Sequence, residues 1–485
     1  MLKNCPTIVF IIIIPWILLI IATAIIPDTE LLFGFDILAK TYDVKLPESF
    51  NGPLLANRWL SLADHLYVDE IRGPESFATW NGNVYASIAD GRIIQLLSNH
   101  YRTVTYLNPE NLSQKECRKN YQSASGYCSR PLGIRFSTKG QLYAVDPYHG
   151  IFEINIENGH YQLVMNISEH RLSDGTIPKF LDDLVLIEKN DTIIIYMTDA
   201  SQKWLLHDVY FTVGEMDQTG RLLSFNLKTK QLQIELDNLA FPNGLILTDN
   251  GTTILINEFN KRRILRYRLD DKPGHYDILI DGLPGEPDNI KRSLNKNHET
   301  YWIGLFTGRN QYKPSFYLDI MAKHPYLKRT YFRLIRLLGF SIETIANLLS
   351  LFFNDNDYLK QFGHNIRVAN FMYPFVAEYG MAVEIDSNGR LIGSLHSPDG
   401  YTNQLSEIYE YHNNGKERYY YIGSYSNQYL GRIIVPINNE DGDNGDNNKK
   451  HSTTFQNELR KFSLIDDNNN KIENDKFCTI EDENC

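Results

Sequence analysis

Basic charge is in short supply: 48 Lys and Arg stand against 59 Asp and Glu, a formal net charge of −11. A net-acidic chain has no global field favouring phosphate backbones, which excludes nucleic-acid binding unless a local basic patch supplies it. Cysteine is scarce as well, five in 485 residues. No helix pair recurs at ~34 or ~40 residues, so a helical-repeat solenoid is excluded. Apolar residues are not lacking: 42% of the chain is hydrophobic, which excludes wholesale disorder. The 30 Tyr, 24 Phe and 31 Gly suit many short strands and tight turns better than a helical bundle. Length alone suggests two to four domains of roughly 100–200 residues, but closed all-β architectures run longer as one.

Residues Thr7–Ile26 form an uncharged apolar run, long enough at ~1.5 Å per residue to cross a hydrocarbon core of ~30 Å. Lys3 precedes it, and Asp28 and Glu30 follow. Positive-inside bias then keeps residues 1–6 cytosolic and sends the rest across, a single-pass type II arrangement with the bulk luminal or extracellular. Ala22-Thr23-Ala24 offers a signal-peptidase site, but the run exceeds the ~7–15 residues of a cleaved signal core, which favours an uncleaved anchor. Four glycosylation sequons lie downstream at Asn111, Asn166, Asn190 and Asn250. Cys5 stays on the cytosolic side, leaving Cys117, Cys128, Cys478 and Cys485 for an oxidising compartment. A Cys117–Cys128 bridge across a Gly/Ser/Asn-containing loop is favoured. For Cys478 and Cys485, a bridge and two unpaired thiols both stay open.

One pattern occurs six times: a polar turn, a β-branched or Tyr-rich strand, a second turn, and a strand that often opens with Arg. The instances begin near Asn81, Lys139, Asn190, Asn250, Asn297 and Gly415. A strand-only repeat of ~50 residues points to blades, each small sheet burying both faces against its neighbours around a ring. The expected fold is all-β, a six-bladed β-propeller over residues 30–436; two stacked sandwiches are the alternative. Between 309 and 364 the texture changes. Phe316–Leu338 and then Ser341–Phe353 carry apolar residues at helical spacing, with Lys323, Lys328, Arg329, Arg333 and Arg336 on the intervening faces. Three readings of this basic amphipathic pair stay open: it lies on an anionic membrane, covers the channel as a lid, or packs on the propeller. Residues 437–485 are Asn- and Asp-rich with too little apolar content to fold, a disordered tail.

Propeller sites form where innermost strands converge, so candidate groups should recur at the start of successive blades. Glu75 in RGPES, Asp182 in FLDDL, Asn243 in FPNGL and Asp288 in GEPDNI do so. Three carboxylates and an amide carbonyl are hard oxygen donors that suit Ca²⁺ on the axis, with Mg²⁺ or Mn²⁺ able to replace it. Each is an ordinary turn residue taken alone; their joint spacing is the signal.

GPESF (73–77), CSRPLG (128–133), VDPYHGIF (145–152), FLDDL (180–184), TDAS (198–201), GRLLSFN (220–226), LAFPNG (239–244) and PDNIKR (287–292) occur in order. This set resembles the strictosidine synthase-like family of six-bladed propellers, and the FYLDIMAKHPYLKR insert and HSPDG (396–400) are similar to its animal branch. The resemblance implies a type II membrane glycoprotein, a Cys117–Cys128 disulfide and an axial Ca²⁺. Related gluconolactonase and paraoxonase propellers hold a divalent ion by Glu, Asn, Asn and Asp, roles that fall here to Glu75, Asp182, Asn243 and Asp288. Asp182 departs from the usual Asn and adds a negative charge. The glutamate that true strictosidine synthase uses as a general base appears by its flanking pattern (SEIYEYHNNG) as Ser406, which argues against alkaloid condensation. What remains is an arylesterase- or lactonase-like hydrolase acting on a small ester or lactone. Glu75 or Asp288 would attack or activate water, and His149 would be the candidate proton shuttle. His149 and His396, beside Asp399, read equally as structural histidines. The alternative function is a non-catalytic receptor or adhesion propeller whose ion only braces the channel.

Overall fold

The computed structural model describes residues 49–98, 100–108, 128–189, 192–272, 274–295, 298–350, 357–370, 378–413 and 417–436, with isolated positions between 18 and 47 and at 115, 117 and 372. The anchor run outside Leu18 and Ile20–Thr23, the sequons Asn111 and Asn190, Cys5, Cys478, Cys485 and the tail lie outside the described residues. No described helix is long and apolar enough to cross a membrane.

Six antiparallel sheets of four strands follow one another along the chain. The first comprises Phe77–Trp80, Asn83–Ser87, Arg92–Leu96 and Tyr101–Tyr106, and the second Gly133–Phe136, Leu142–Asp146, Gly150–Ile154 and Tyr161–Asn166. The third comprises Leu181–Lys189, Thr192–Asp199, Gly220–Asn226 and Leu232–Leu239, and the fourth Pro242–Leu247, Thr253–Glu258, Arg263–Arg268 and Asp277–Asp281. The fifth is Gly285–Arg292, Thr300–Gly308, Gly380–Asp386 and Leu391–Ser397. The sixth takes Glu407–Asn413, Glu417–Gly423 and Leu430–Pro436 from the end of the domain and Asp64–Leu66 from its start. Asp64 pairs in register with Arg432, so the two ends of the domain are closed by hydrogen bonds within one sheet.

Each sheet's first strand packs on the first strand of the next, and the sixth returns to the first where Glu407 Oε1 accepts from the Phe77 amide at 2.9 Å. Six buried apolar clusters fill the six gaps between neighbours, including the gap between last and first, where Phe77 and Ile94 meet Tyr421 and Leu430. A closed ring of twisted four-stranded sheets, each buried on both faces, is consistent with a six-bladed β-propeller. The six sequence repeats fall on the second strands of the six blades. Cys117 and Cys128 are joined by a disulfide.

In each blade the start of the first strand pairs with the end of the second, as Leu181 does with Asp199. Connections between second and third strands therefore rise at the end of the ring where the candidate site residues begin their strands. Two helical connections emerge there. One is Val209–Glu215 in the third blade, which the sequence pattern did not mark as helical; the other is the long insertion in the fifth.

The insertion differs from expectation in two respects. Phe316–Ile320 forms a single wide turn capped by the Ser315 side chain, and one continuous helix then spans Pro325–Leu349, running through the expected break. Gly339 sits inside that helix because the second helix, Asp357–Arg367, crosses it there. A Cβ at Gly339 would lie 2.3 Å from the Arg367 amide nitrogen. The basic stripe is also partly inward. Lys328 and Arg333 are buried, and Arg336 pairs with Asp208.

The channel is as tightly packed as the blades. A Cβ at Gly244 would come within 2.6 Å of Asn289 Cα and 2.7 Å of the Asp288 carbonyl oxygen, both backbone atoms that cannot swing away. Gly244→Ala is expected to cost about 1–3 kcal/mol of stability by overpacking. Reversible chemical denaturation checks this, and a variant as stable as the parent would contradict the close approach.

Candidate functional site

Glu75, Asp182, Asn243 and Asp288 line one cavity of about 90 Å³ at the open end of the channel. Three of them are placed by the same device. In the third, fourth and fifth blades the first strand pairs at Leu181, Pro242 and Pro287, then shifts register before resuming at Leu184, Leu245 and Ile290. The residues released from the ladder are Asp182-Asp183, Asn243-Gly244 and Asp288-Asn289. A bulge re-aims side chains, here toward the axis. Glu75 takes the corresponding place just ahead of Phe77, its amide bonded to the Ser87 carbonyl.

Polar neighbours fix the backbone of this set. Thr198 Oγ1 donates to the Asn243 carbonyl at 2.8 Å, Asn257 Nδ2 to the Asp288 carbonyl at 2.6 Å, and Asn289 Nδ2 to the Glu75 carbonyl at 3.4 Å. Every ligand-side carbonyl that is tied down this way leaves the side chain above it with fewer orientations.

The walls are hydrocarbon. Phe180, Phe241, Phe259 and Phe306 surround the polar floor, and the ceiling comes from Val209 and Val213, the Phe316–Ile320 turn and Phe332 of the long helix. The insertion therefore covers the channel mouth. Its helix is held down by Arg336 to Asp208 and by Lys328 Nζ to the Glu215 carbonyl. The turn is held by Asp319, which accepts from Arg262 at 3.0 Å and from Arg309 at 2.9 Å.

Burial in this chamber moves the carboxyl groups upward. Glu75 is pushed well above the ordinary range, first by burial and then by the negative charge of Asp288. Asp182 is pushed up by burial, then by Asp288 and Glu75. Asp288 rises to about 7, driven by burial and restrained by hydrogen bonds from Ser406 and the Asn243 amide. Ser406 stands beside both Glu75 and Asp288 and tempers the rise of each.

Fit to a cation can be judged from the oxygens themselves. Glu75 Oε2, Asn243 Oδ1 and Asp288 Oδ1 are buried without a hydrogen-bond partner. Buried acceptors are ordinarily satisfied, and three left open on one cavity floor fit a hard cation. No trio of His, Cys, Asp or Glu among the described residues is gathered closely enough to hold an ion by itself, so the fit rests on the mixed carboxyl and amide set.

The other candidates are elsewhere. His149 does not line the cavity; its Nδ1 lies 3.0 Å from the buried Asp146 carboxyl, which also accepts the His149 amide. His396 is buried between Tyr379 and Ser394, and burial drives its pKa down to about 3. Asp399 bonds Arg58 and Ser61 at the surface. Of the sequons, Asn166 ends the strand Tyr161–Asn166 and Asn250 falls in a polar turn.

Sequence reasoning missed a second ring directly below the first. Lys291 Nζ lies 3.1 Å from Glu407 Oε2 and 3.1 Å from Ser76 Oγ, and Arg135 lies 2.9 Å from Asp183. Burial, then the charge of Arg135, lowers the Lys291 pKa to about 8. The signal was available: the residue after each first-ring position is Ser76, Gly133, Asp183, Gly244, Asn289 and Glu407, and an apolar residue follows each.

Known proteins resemble this chain in sequence. The strictosidine synthase family model matches residues 182–272 and the strictosidine synthase-like N-terminal model matches residues 52–96. The adipocyte plasma membrane-associated proteins of Bos taurus and Homo sapiens are each 30% identical, over 80% and 81% of this chain and 82% of each relative. The Drosophila melanogaster protein named Hemomucin is 27% identical over 82% of this chain and 65% of its own length. Among solved structures, a Xanthomonas campestris gluconolactonase aligns at 12% identity with a TM-score of 0.45, covering 82% of this chain and 99% of its own. The calcium-binding regucalcin of Agrobacterium tumefaciens aligns at 10% identity with a TM-score of 0.42, covering 81% and 95%. With blades, ordered motifs and relatives in agreement over four-fifths of its length, the chain belongs to the strictosidine synthase-like family, alongside the adipocyte plasma membrane-associated proteins.

Proposed function

We propose that the chain is a membrane-anchored hydrolase of small apolar esters or lactones. It works with a divalent cation, Ca²⁺ in preference to Mg²⁺ or Mn²⁺, held by Glu75, Asp182, Asn243 and Asp288. The observation that carries this reading is the trio of unsatisfied buried oxygens on the floor of a phenylalanine-walled cavity. When bound, such a cation supplies Lewis-acid polarisation of a carbonyl or phosphoryl oxygen and positive charge where an oxyanion develops.

The chain's own residues do the rest. Phe180, Phe241, Phe259 and Phe306 take up an acyl or aryl group and exclude bulk water. Asp288, a carboxyl on the cavity floor, is one group placed to accept a proton from water. Glu75, as a carboxylate, is the other group on the cavity floor placed to activate water or to attack the substrate carbonyl. His149 has no place in this scheme, because its ring serves Asp146 outside the cavity. The apolar run 7–26 anchors the chain as a type II membrane protein, and Asn166 and Asn250 accept glycans on the luminal or extracellular side.

The second reading is a receptor or adhesion propeller with a bracing ion. It is favoured by the absence of any histidine among the described cavity-lining residues and by Ser406 where a carboxylate base would stand.

Phenyl acetate hydrolysis by the purified chain separates the two. Hydrolysis is expected to fall by about 10²-fold or more in Glu75→Gln and Asp288→Asn, and to vanish in EDTA, with circular dichroism unchanged. A rate indifferent to both changes would overturn the hydrolase reading. Cation-dependent stability without turnover would establish the second reading.

The raised carboxyl pKa values also set a stability profile. The folded pKa of Asp288, about 7, lies above its unfolded value of 3.8, so the folded state binds more protons than the unfolded chain. Its contribution is therefore fully present at acid pH and is lost as pH rises from about 4 through about 7. In chelator the melting temperature is expected to fall across that window. Added Ca²⁺ should restore it, and by more at the alkaline end. A melting temperature flat with pH and blind to Ca²⁺ would contradict the site.

A further inference from the structure

We infer that the outer face of the helical cap lies on a lipid bilayer surface. The long helix buries Lys328, Phe332, Ile335, Gly339 and Ala346 at helical spacing, Gly339 against the second helix of the insertion. Its other side is not the polar face that water calls for. Leu327, Leu338, Phe340, Ile345 and Leu348 are exposed, Phe340 to 60%. The neighbouring helix adds Tyr358, 83% exposed, and Phe362 one turn further on. Scattered apolar side chains on a surface need no explanation; a run of them on two adjacent helices, at the free side of a cap, marks a surface that something covers.

The N-terminal segment points to what covers it. The Thr23 carbonyl accepts from Arg333 Nη1 at 2.8 Å, and Asp36 accepts from Arg333 Nη2 at 2.5 Å. Thr23 lies within the apolar run 7–26, so the chain leaving that run is pinned to the same long helix. Leu18, Ile20 and Ile21, just before it, are exposed apolar residues too. A run that spans a bilayer and ends on this helix brings the bilayer surface to the cap. Lys45, Lys323 and His324 line one groove at that end, where headgroup phosphates would find positive partners. The arrangement is that of an interfacial helix with its apolar face in the headgroup–acyl boundary.

The inference rests on reading 7–26 as a membrane anchor and is independent of whether the cavity is catalytic. The full chain is reconstituted in vesicles of equal parts phosphatidylcholine and phosphatidylserine, with the photo-crosslinking residue p-benzoylphenylalanine at Ile345, at Phe362, or at Lys139, an exposed turn at the opposite end of the ring. All three chains should float with the vesicles. On illumination, lipid adducts are expected at positions 345 and 362 at about tenfold the level at 139. Equal labelling at 345 and 139 in floating vesicles overturns the docking, as does a chain-to-chain adduct at 345, which would make the face a dimer contact. Failure of every chain to float overturns the anchor reading and the docking with it.

Discussion

Three carboxyl groups facing one hydrocarbon-walled chamber cannot all stay ionised and uncompensated. Two like charges about 5 Å apart repel by ~3 kcal/mol even at an effective dielectric of ~20, and desolvation adds to this. Either protons or a cation must be present. The upward displacement of Glu75, Asp182 and Asp288 expresses the first condition, and the unsatisfied Glu75, Asn243 and Asp288 oxygens express the second. The rest of the upper channel serves to hold that tension. Bulges in three successive first strands aim the side chains inward, and Thr198, Asn257 and Asn289 hold the carbonyls behind them.

The ring below resolves its charges internally. Lys291 meets Glu407 and Arg135 meets Asp183, so the second layer is electrically paired while the first is not. Gly133 and Gly244 occupy the remaining places because neighbouring channel atoms leave no room: a Cβ at Gly133 would lie 2.3 Å from the Asp183 carboxyl. The upper ring keeps its unsatisfied oxygens, and Val209–Glu215 and Pro325–Leu349 contribute the cavity ceiling above it.

The architecture was legible because its period is long and its strands alternate visibly. NGNVYASIADGRIIQLL and its five counterparts each supply a second strand and its return. That Glu75, Asp182, Asn243 and Asp288 share one cavity was suggested by their place ahead of apolar strands in four of the six blades. What failed to show follows from local ambiguity. Val209–Glu215 is short and rich in β-branched and aromatic residues, so its periodicity reads no more as helix than as strand. Gly339 looked like a helix break because a sequence does not reveal that another backbone crosses it. Lys328 and Arg333 looked solvent-facing because burial of a lysine or arginine depends on distant acceptors, the Glu215 carbonyl and Asp36. The Lys291–Glu407 pair joins residues far apart in the chain, so their pairing shows only once the ring is closed.

A crystal of the chain grown with Mn²⁺ in place of Ca²⁺ tests the central claim most directly, by anomalous scattering at the manganese edge. A single strong peak is expected on the channel axis, within about 2.0–2.6 Å of carboxyl or amide oxygens from Glu75, Asp182, Asn243 and Asp288. A channel without a peak, or a manganese ion bound only at surface carboxylates, would contradict it.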